Sequence, residues 1–92
     1  MAYQLLTPRF LLGKTFTTPG VLALGINLNS YIRRHHCGDW GDLCEEDKQA
    51  NETALIHSTR LLSCYQVGGG KRIYIITEWD RSLTTVLLPE EY

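Results

Sequence analysis

The feature that most constrains this fold is a run of three β-forming segments in the last third of the chain. Residues 60–67, 71–77 and 82–88 are each rich in β-branched, aromatic or aliphatic side chains, which favour strands. Only a glycine triplet and the short polar segment 78–81 separate them. Connections this short join antiparallel neighbours, so the sequence predicts a three-stranded antiparallel meander.

Side-chain alternation indicates that both faces of this meander are apolar. In the middle segment Ile73 and Ile75 point to one face, whereas Tyr74 and Ile76 point to the other. We expect one face to pack on helices. The other face needs a cover, which either the N-terminal arm or a partner would supply.

The N-terminal third predicts an arm, a short strand and a first helix. Residues 3–12 are apolar, but Pro8 restricts them to an edge strand or an extended arm. Residues 14–17 form a short strand in this interpretation. Thr18 as N-cap before a proline then favours a helix over about 19–24, which ends at a glycine.

Two further helices are predicted before the meander. Asn27 is a good N-cap for a helix that stops at Gly38. Asp42, with Glu45 three residues later, resembles a capping box and predicts a third helix over roughly 43–57. The expected fold class is therefore α+β: a short N-terminal strand or arm, three helices, then the meander.

Length, composition and charge bound the class of protein. Ninety-two residues, of which 43% are hydrophobic and 21% charged, suit a single globular domain, residues 1–92. The formal net charge of −1 provides no overall basic field and argues against direct nucleic-acid binding. The apolar runs are too short to span a membrane, and the N-terminus lacks a signal-peptide pattern. We therefore expect a cytoplasmic protein with no membrane association.

The cysteines and histidines predict neither a disulfide framework nor a metal site. The three cysteines are Cys37, Cys44 and Cys64. An odd number without a signal peptide argues against disulfides. The clustered donor-type side chains are those of His35, His36, Cys37 and Cys44. Adjacent residues rarely converge on one ion, and the spacing is not that of a zinc finger, so we expect no metal and no cofactor.

Several blocks of the sequence together resemble a family. They include Gly38-Asp39-Trp40-Gly41, Ile75-Ile76-Thr77-Glu78, Asp80-Arg81-Ser82 and Thr84-Thr85. With these blocks the chain is similar, over nearly its whole length, to small proteins carried by plasmids, phages and integrative elements. The resemblance implies mobile-element cargo and no particular reaction. The chain departs from the pattern where the second helix begins and in carrying His36 and Cys37.

Two clusters carry side chains suited to acid–base chemistry. At the end of the second helix, His35 would be an acid or base held by Asp39 or by a carboxylate from across the fold. Alternatively, His35 caps the helix, Asp39 bonds loop amides and Trp40 fills the core. After the middle strand of the predicted meander, Glu78 would be a base and Arg81 would bind a phosphate. Alternatively, both residues belong to a charged hairpin tip.

The two clusters lead to an enzymatic alternative. RNA cleavage needs a base, an acid and a cation near one phosphate, and the side chains of these types are His35, Arg60, Glu78 and Arg81. Helices followed by an antiparallel meander also describe the fold of barnase and RelE-type toxins, an analogy of fold alone. A ribonuclease-like toxin is therefore the alternative function.

The leading function is that of a mobile-element accessory protein that binds and inhibits a host defence complex, in the manner of anti-CRISPR or anti-restriction proteins. Acidic surfaces of such inhibitors occupy basic channels in nucleic-acid-handling complexes. The candidate partner-binding carboxylates are those of Glu45, Glu46, Asp47, Glu52, Glu90 and Glu91. A solvated helix face and a frayed tail are the alternative interpretation of these residues. The oligomeric state is left open.

Overall fold

The elements follow one another in the order that the sequence predicts. The structure, a computed structural model, describes residues 7–92, so residues 3–6 of the predicted arm lie outside it. Its helices are α1 (Pro19–Leu22), α2 (Asn29–His36) and α3 (Glu45–His57). Its strands are β1 (Lys14–Thr17), β2 (Leu61–Gly68), β3 (Lys71–Thr77) and β4 (Leu83–Leu87), and a 3-10 turn, Pro89–Glu91, follows.

The predicted α+β class is confirmed, with a four-stranded mixed sheet. The strands lie in the order β1-β4-β3-β2, and β2, β3 and β4 form the predicted antiparallel meander. The predicted N-terminal strand is also present, and it joins the sheet parallel to β4, from Lys14 beside Leu83 to Thr17 beside Val86. This long-range pairing completes the sheet.

The start of the second helix differs from the prediction. The helix begins at Asn29, with Leu28 in the cap position and no side-chain cap bond. Asn27 lies one residue too early to cap it. Its side-chain oxygen accepts instead from the amide of Asn29, at 2.9 Å, and forms a local turn.

The third helix also begins later than the predicted residue 43. It starts at Glu45, with Cys44 in the cap position, because the preceding residues run beside β2. The amide of Asp42 donates to the carbonyl oxygen of Cys64 at 2.6 Å. The Asp42 carboxylate accepts from the Gln66 amide at 2.9 Å instead of capping the helix.

One face of the sheet is buried beneath the first two helices. The fully buried residues of this core are Val21, Tyr65, Ile73, Ile75 and Val86. The Tyr65 hydroxyl, 2.5 Å from the Asp39 carbonyl oxygen, also ties the sheet to the loop after α2. A second cluster, in which Trp40 is only 4% exposed, confirms that this tryptophan belongs to the core.

Backbone groups on the outer edge of β2 are hydrogen-bonded by a helix side chain and by a loop, and not by another strand. The Asn51 side chain, on α3, accepts from the Leu62 amide at 3.1 Å and donates to its carbonyl at 2.7 Å. The Cys64 amide donates to the Trp40 carbonyl at 3.2 Å. Since α3 buries only Asn51 and Ala54, this amide pairing is the main polar attachment of the helix to the sheet.

The other face of the sheet is only partly covered, because Ile76 and Leu87 are buried there whereas Phe16 is 53% exposed. Leu62, Ile76, Thr85 and Phe16 lie side by side across the four strands, and Tyr92 packs edge-on against Tyr74. The arm does not supply the predicted cover within the described residues. Phe10 packs instead beside His35 and Trp40, on the helix side.

We predict that Asn51→Ala lowers the free energy of unfolding by about 2–3 kcal/mol, because it leaves the amide and carbonyl of Leu62 unpaired in a partly buried site. Urea unfolding measures the loss. Gln49→Ala, an exposed amide on the same helix, is the matched control and should change the value by less than about 0.5 kcal/mol. Equal stability of the two variants would show that the Asn51 pairing does not hold α3 in place.

Candidate functional site

The side chain of His35 lies at the centre of the molecule. It is fully buried, so it does not cap the helix as one interpretation expected. Its Nδ1 lies 2.5 Å from the Ser63 hydroxyl and its Nε2 lies 2.9 Å from the Thr77 hydroxyl. The chain of bonds continues from Thr77 to Thr84, at 2.7 Å. It therefore joins α2 to three neighbouring strands.

The hydrogen bond between Thr84 and Leu12 determines which group donates and which accepts along this chain. The Thr84 hydroxyl donates to the carbonyl oxygen of Leu12 at 2.6 Å, and a carbonyl can only accept. Thr84 must then accept from Thr77, and Thr77 from the Nε2–H of His35. Nδ1 is left as the acceptor for the Ser63 hydroxyl, which defines one neutral tautomer of the ring.

Burial keeps this ring neutral. Removal from water is the main cause that lowers the His35 pKa from 6.5 to about 3, and the charges of His36 and Arg81 lower it further. A proton added at Nδ1 would also displace the bond from Ser63. An inaccessible group with this pKa and both nitrogens occupied is not suited to general acid–base catalysis near pH 7.

The carboxylate of Asp39 does not orient His35. It accepts from Arg34 at 2.8 Å and from the Gly41 amide at 3.2 Å, which matches the alternative interpretation of Asp39 as a residue that bonds a loop amide. The Arg34 hydrogen bond is the main cause of its lowered pKa. Asp39 therefore stabilises the loop after α2.

The guanidinium of Arg81 is used to hold the fold together. It donates to the carbonyl oxygens of Thr59 at 2.7 Å, Glu78 at 3.0 Å and Ala54 at 3.1 Å. Its backbone has φ 59°, a strained value for a residue with a side chain. Arg81 thus fastens the β3–β4 turn to the C-terminal end of α3, and these bonds occupy the side chain that was predicted to clamp a phosphate.

Arg60 and Glu78 lie on the opposite face of the sheet from His35. Glu78 follows Thr77, and successive side chains of a strand point to opposite faces. Arg60 lies over the ring of Tyr92, 5.4 Å from its centroid, and donates to the Tyr92 hydroxyl. A shallow cavity of about 240 Å³ lies here; its lining residues are Arg60, Ile76, Glu78, Thr85, Leu87 and Tyr92.

The structure therefore separates the residues of the enzymatic alternative. His35 is beneath the helices, Arg81 is fixed at the C-terminal end of α3, and Arg60 and Glu78 share the opposite face of the sheet. Acid–base catalysis at one phosphate needs these groups within hydrogen-bond reach of the same atoms. Among residues 7–92 they do not assemble into such a site.

The acidic candidates fall into two groups. Glu52 accepts two bonds from Arg9, at 2.8 and 2.9 Å, and one from the Trp40 indole, so its carboxylate holds the arm to α3. Glu91 accepts from Thr18 at 2.6 Å and from the Leu88 amide at 2.8 Å. The remaining carboxylates are exposed; they belong to Glu45, Glu46, Asp47 and Glu90.

The donor-type side chains of residues 35–37 and 44 do not gather around one point in the part of the chain that the structure describes. No three histidine, cysteine or acidic side chains of residues 7–92 lie together in a way that would hold an ion. The Cys37, Cys44 and Cys64 thiols are free. No helix among these residues has the length and hydrophobicity required to cross a membrane.

Comparison of the chain with protein-family models, with curated proteins and with solved structures gave no match.

We predict that the protein loses stability as the pH falls from 6.5 towards 5. In this range the unfolded chain binds a proton at His35 that the folded chain excludes. The free energy of unfolding therefore falls with a slope that steepens from about 0.7 kcal/mol per pH unit at pH 6.5 to about 1.4 kcal/mol per pH unit near pH 5. Asp39 and Glu52, whose pKa values are lowered, lose their contribution only below about pH 4.5. Urea unfolding at pH 7, 6 and 5 measures the slope.

A matched pair of variants tests whether His35 causes this pH dependence of the free energy of unfolding. His35→Gln should flatten it, whereas His57→Gln, at an exposed position, should leave it unchanged. A free energy of unfolding that is constant between pH 7 and 5 would mean that His35 is not held neutral.

Proposed function

We propose that this protein is a cytoplasmic accessory protein of a mobile element, which binds a host defence complex of the restriction or CRISPR type and blocks it without catalysis. The observation that carries the proposal is the set of exposed carboxylates and apolar side chains on and beside α3. This helix buries little of its surface and presents two kinds of binding group, one near each end.

The N-terminal end of this surface is acidic. Glu45, Glu46 and Asp47 occupy the first turn of α3 and are exposed. Within residues 7–92 the ion pair formed by this turn is a long one, 3.8 Å from the Glu45 carboxylate to Lys48. Carboxylates that are not engaged by the fold remain available to a basic channel.

The C-terminal end of the surface is apolar. Ile56 is 78% exposed and Trp79 is 64% exposed. The bonds from Arg81 to Ala54 and Thr59 hold the turn that carries Trp79 beside the last turn of α3. We call this exposed set, which consists of Glu45, Glu46, Asp47, Ile56 and Trp79, the α3 surface.

This arrangement resembles a protein-binding surface more than a catalytic one. Interfaces typically combine apolar anchors, among which tryptophan is enriched, with polar groups at the rim. Charged groups at the rim mainly accelerate association and select partners of opposite charge. The separation of His35 from Glu78 and Arg60, together with the buried position of His35, favours binding over the ribonuclease alternative.

The test begins with capture of a partner from a bacterial host lysate by the immobilised protein, followed by kinetics with the purified partner. Reversal of Glu45, Glu46 and Asp47 to lysine should reduce the association rate about tenfold at low salt. Added salt should reduce the difference in association rate between this variant and the wild type. Trp79→Ala and Ile56→Ala should instead accelerate dissociation.

Matched controls make the assignment specific. Leu22→Ala on α1 and Leu11→Ala in the arm, which are exposed to a similar degree, should leave both rates unchanged. Unchanged kinetics in the α3 variants would place the interface elsewhere. RNA cleavage by the purified protein that disappears in Glu78→Ala and Arg60→Ala, with melting temperatures unchanged, would replace the binding function with the enzymatic one.

A further inference from the structure

The two edge strands of the sheet differ in the groups that hydrogen-bond to their outer sides. Asn51 and the main chain of residues 40–42 cover the edge formed by β2. At the other edge, β1 pairs with β4 on one side. No strand within residues 7–92 pairs with its outer side.

The hydrogen bonds of β1 show which of its groups point outward. The Lys14 amide donates to the Ser82 carbonyl and the Thr18 amide to the Val86 carbonyl, both at 3.0 Å. Backbone groups alternate in direction along a strand. The amides and carbonyls of Thr15 and Thr17 therefore point away from β4, where they offer two donors and two acceptors to another strand.

The side chain between these two threonines is exposed and apolar. Phe16 is 53% exposed and lies beside Thr85, on the sheet face opposite the helices. An edge with outward-pointing, unpaired backbone groups and an exposed aromatic side chain can pair with a further strand.

We propose that β1 pairs antiparallel with β1 of a second copy of this chain, across a two-fold axis that passes beside Phe16. Thr15 of one copy then lies opposite Thr17 of the other, and these residues exchange all their outward hydrogen bonds. The two Phe16 residues face each other as a closely spaced pair without hydrogen bonds, on the same side of the sheet. Two four-stranded sheets become one sheet of eight strands.

The register favours a second copy over an unrelated strand because the edge is complementary to itself. A two-fold axis gives every outward amide and carbonyl of Thr15 and Thr17 a hydrogen-bond partner. It also places Phe16 against Phe16 of the second copy, because an isologous contact uses the same patch on both copies. Lys14, the charged residue of β1, lies opposite Thr18 of the second copy. The two Lys14 residues are therefore about 13 Å apart along the strands, beyond the screening length at physiological salt of about 8 Å.

The pairing is short, so we expect a weak and reversible dimer. Four residues on each side bury less than the area of a standard stable interface, so we expect a dissociation constant of roughly 10⁻⁵–10⁻⁴ M. This association is independent of the proposed binding of a defence complex, because it uses β1 and not the α3 surface.

Disulfide trapping tests the register directly. In a background of Cys37→Ser and Cys44→Ser, with the buried Cys64 retained, Phe16→Cys should form a covalent dimer under mild oxidation at about 100 µM, near the expected dissociation constant. The facing Cα atoms of such a pair are about 4.5 Å apart, within disulfide range. Thr15→Cys is the matched control and should stay monomeric, because its symmetry mate is displaced by two residues.

Sedimentation velocity of the unmodified chain provides the second measurement. The sedimentation coefficient should rise from the monomer to the dimer value between about 5 and 500 µM. Thr15→Pro removes an outward donor without touching a bond to β4, so this variant should remain monomeric while its melting temperature changes little. A wild-type chain that is monomeric at 500 µM, or equal trapping of the Thr15 and Phe16 cysteine variants, would overturn the proposal.

Discussion

The buried imidazole of His35 is the contact on which the arrangement of helices and strands depends. It joins α2 to Ser63 on β2 and to Thr77 on β3, and Thr84 extends the chain to the carbonyl of Leu12 in the arm. Each member of this network has a partner. A satisfied buried network specifies one arrangement of its elements, whereas a partly satisfied one is costly. The α2 helix, the meander and the arm are thus oriented by one set of polar contacts inside an apolar core.

Several polar residues that are suited to catalysis are used in this structure for stability. Arg81 caps the end of α3, Asp39 pairs with Arg34, and Glu52 joins Arg9 to Trp40. The groups left at the surface are exposed carboxylates, isolated large apolar side chains and one open strand edge. These groups suit recognition of other macromolecules. The proposed activity therefore resides in the surfaces that the core leaves uncovered.

Local patterns predicted the meander, because short connections and alternating side chains leave few other structures for residues 60–88. They did not reveal that β1 joins β4, because the four residues of β1 contain no information about a pairing partner almost 70 positions away. The start of α3 was predicted too early for a similar reason. The contact that keeps Asp42 out of the helix is with Cys64, which is distant in sequence.

The buried role of His35 was overlooked although the sequence contains a signal for it. Leu28, Tyr31, Ile32 and His35 follow the spacing of a single helix face, so the histidine continues the apolar stripe of α2. Ser63 likewise alternates with Leu61 and Tyr65 on the buried side of β2. The separation of His35 from Glu78 follows from the same alternation in β3. What no local pattern provides is the order of donors and acceptors, which the distant Leu12 carbonyl fixes.

The protonation state of His35 in the folded protein is the most direct test of this central contact. Long-range proton–nitrogen NMR of the histidine rings reports which ring nitrogen carries the proton. The spectrum should show His35 protonated at Nε2 alone at pH 7, and this pattern should persist without titration to pH 5 while the chain remains folded. A His35 that titrates near its ordinary pKa of 6.5 in the folded chain, or that carries its proton on Nδ1, would contradict the proposed role of this residue.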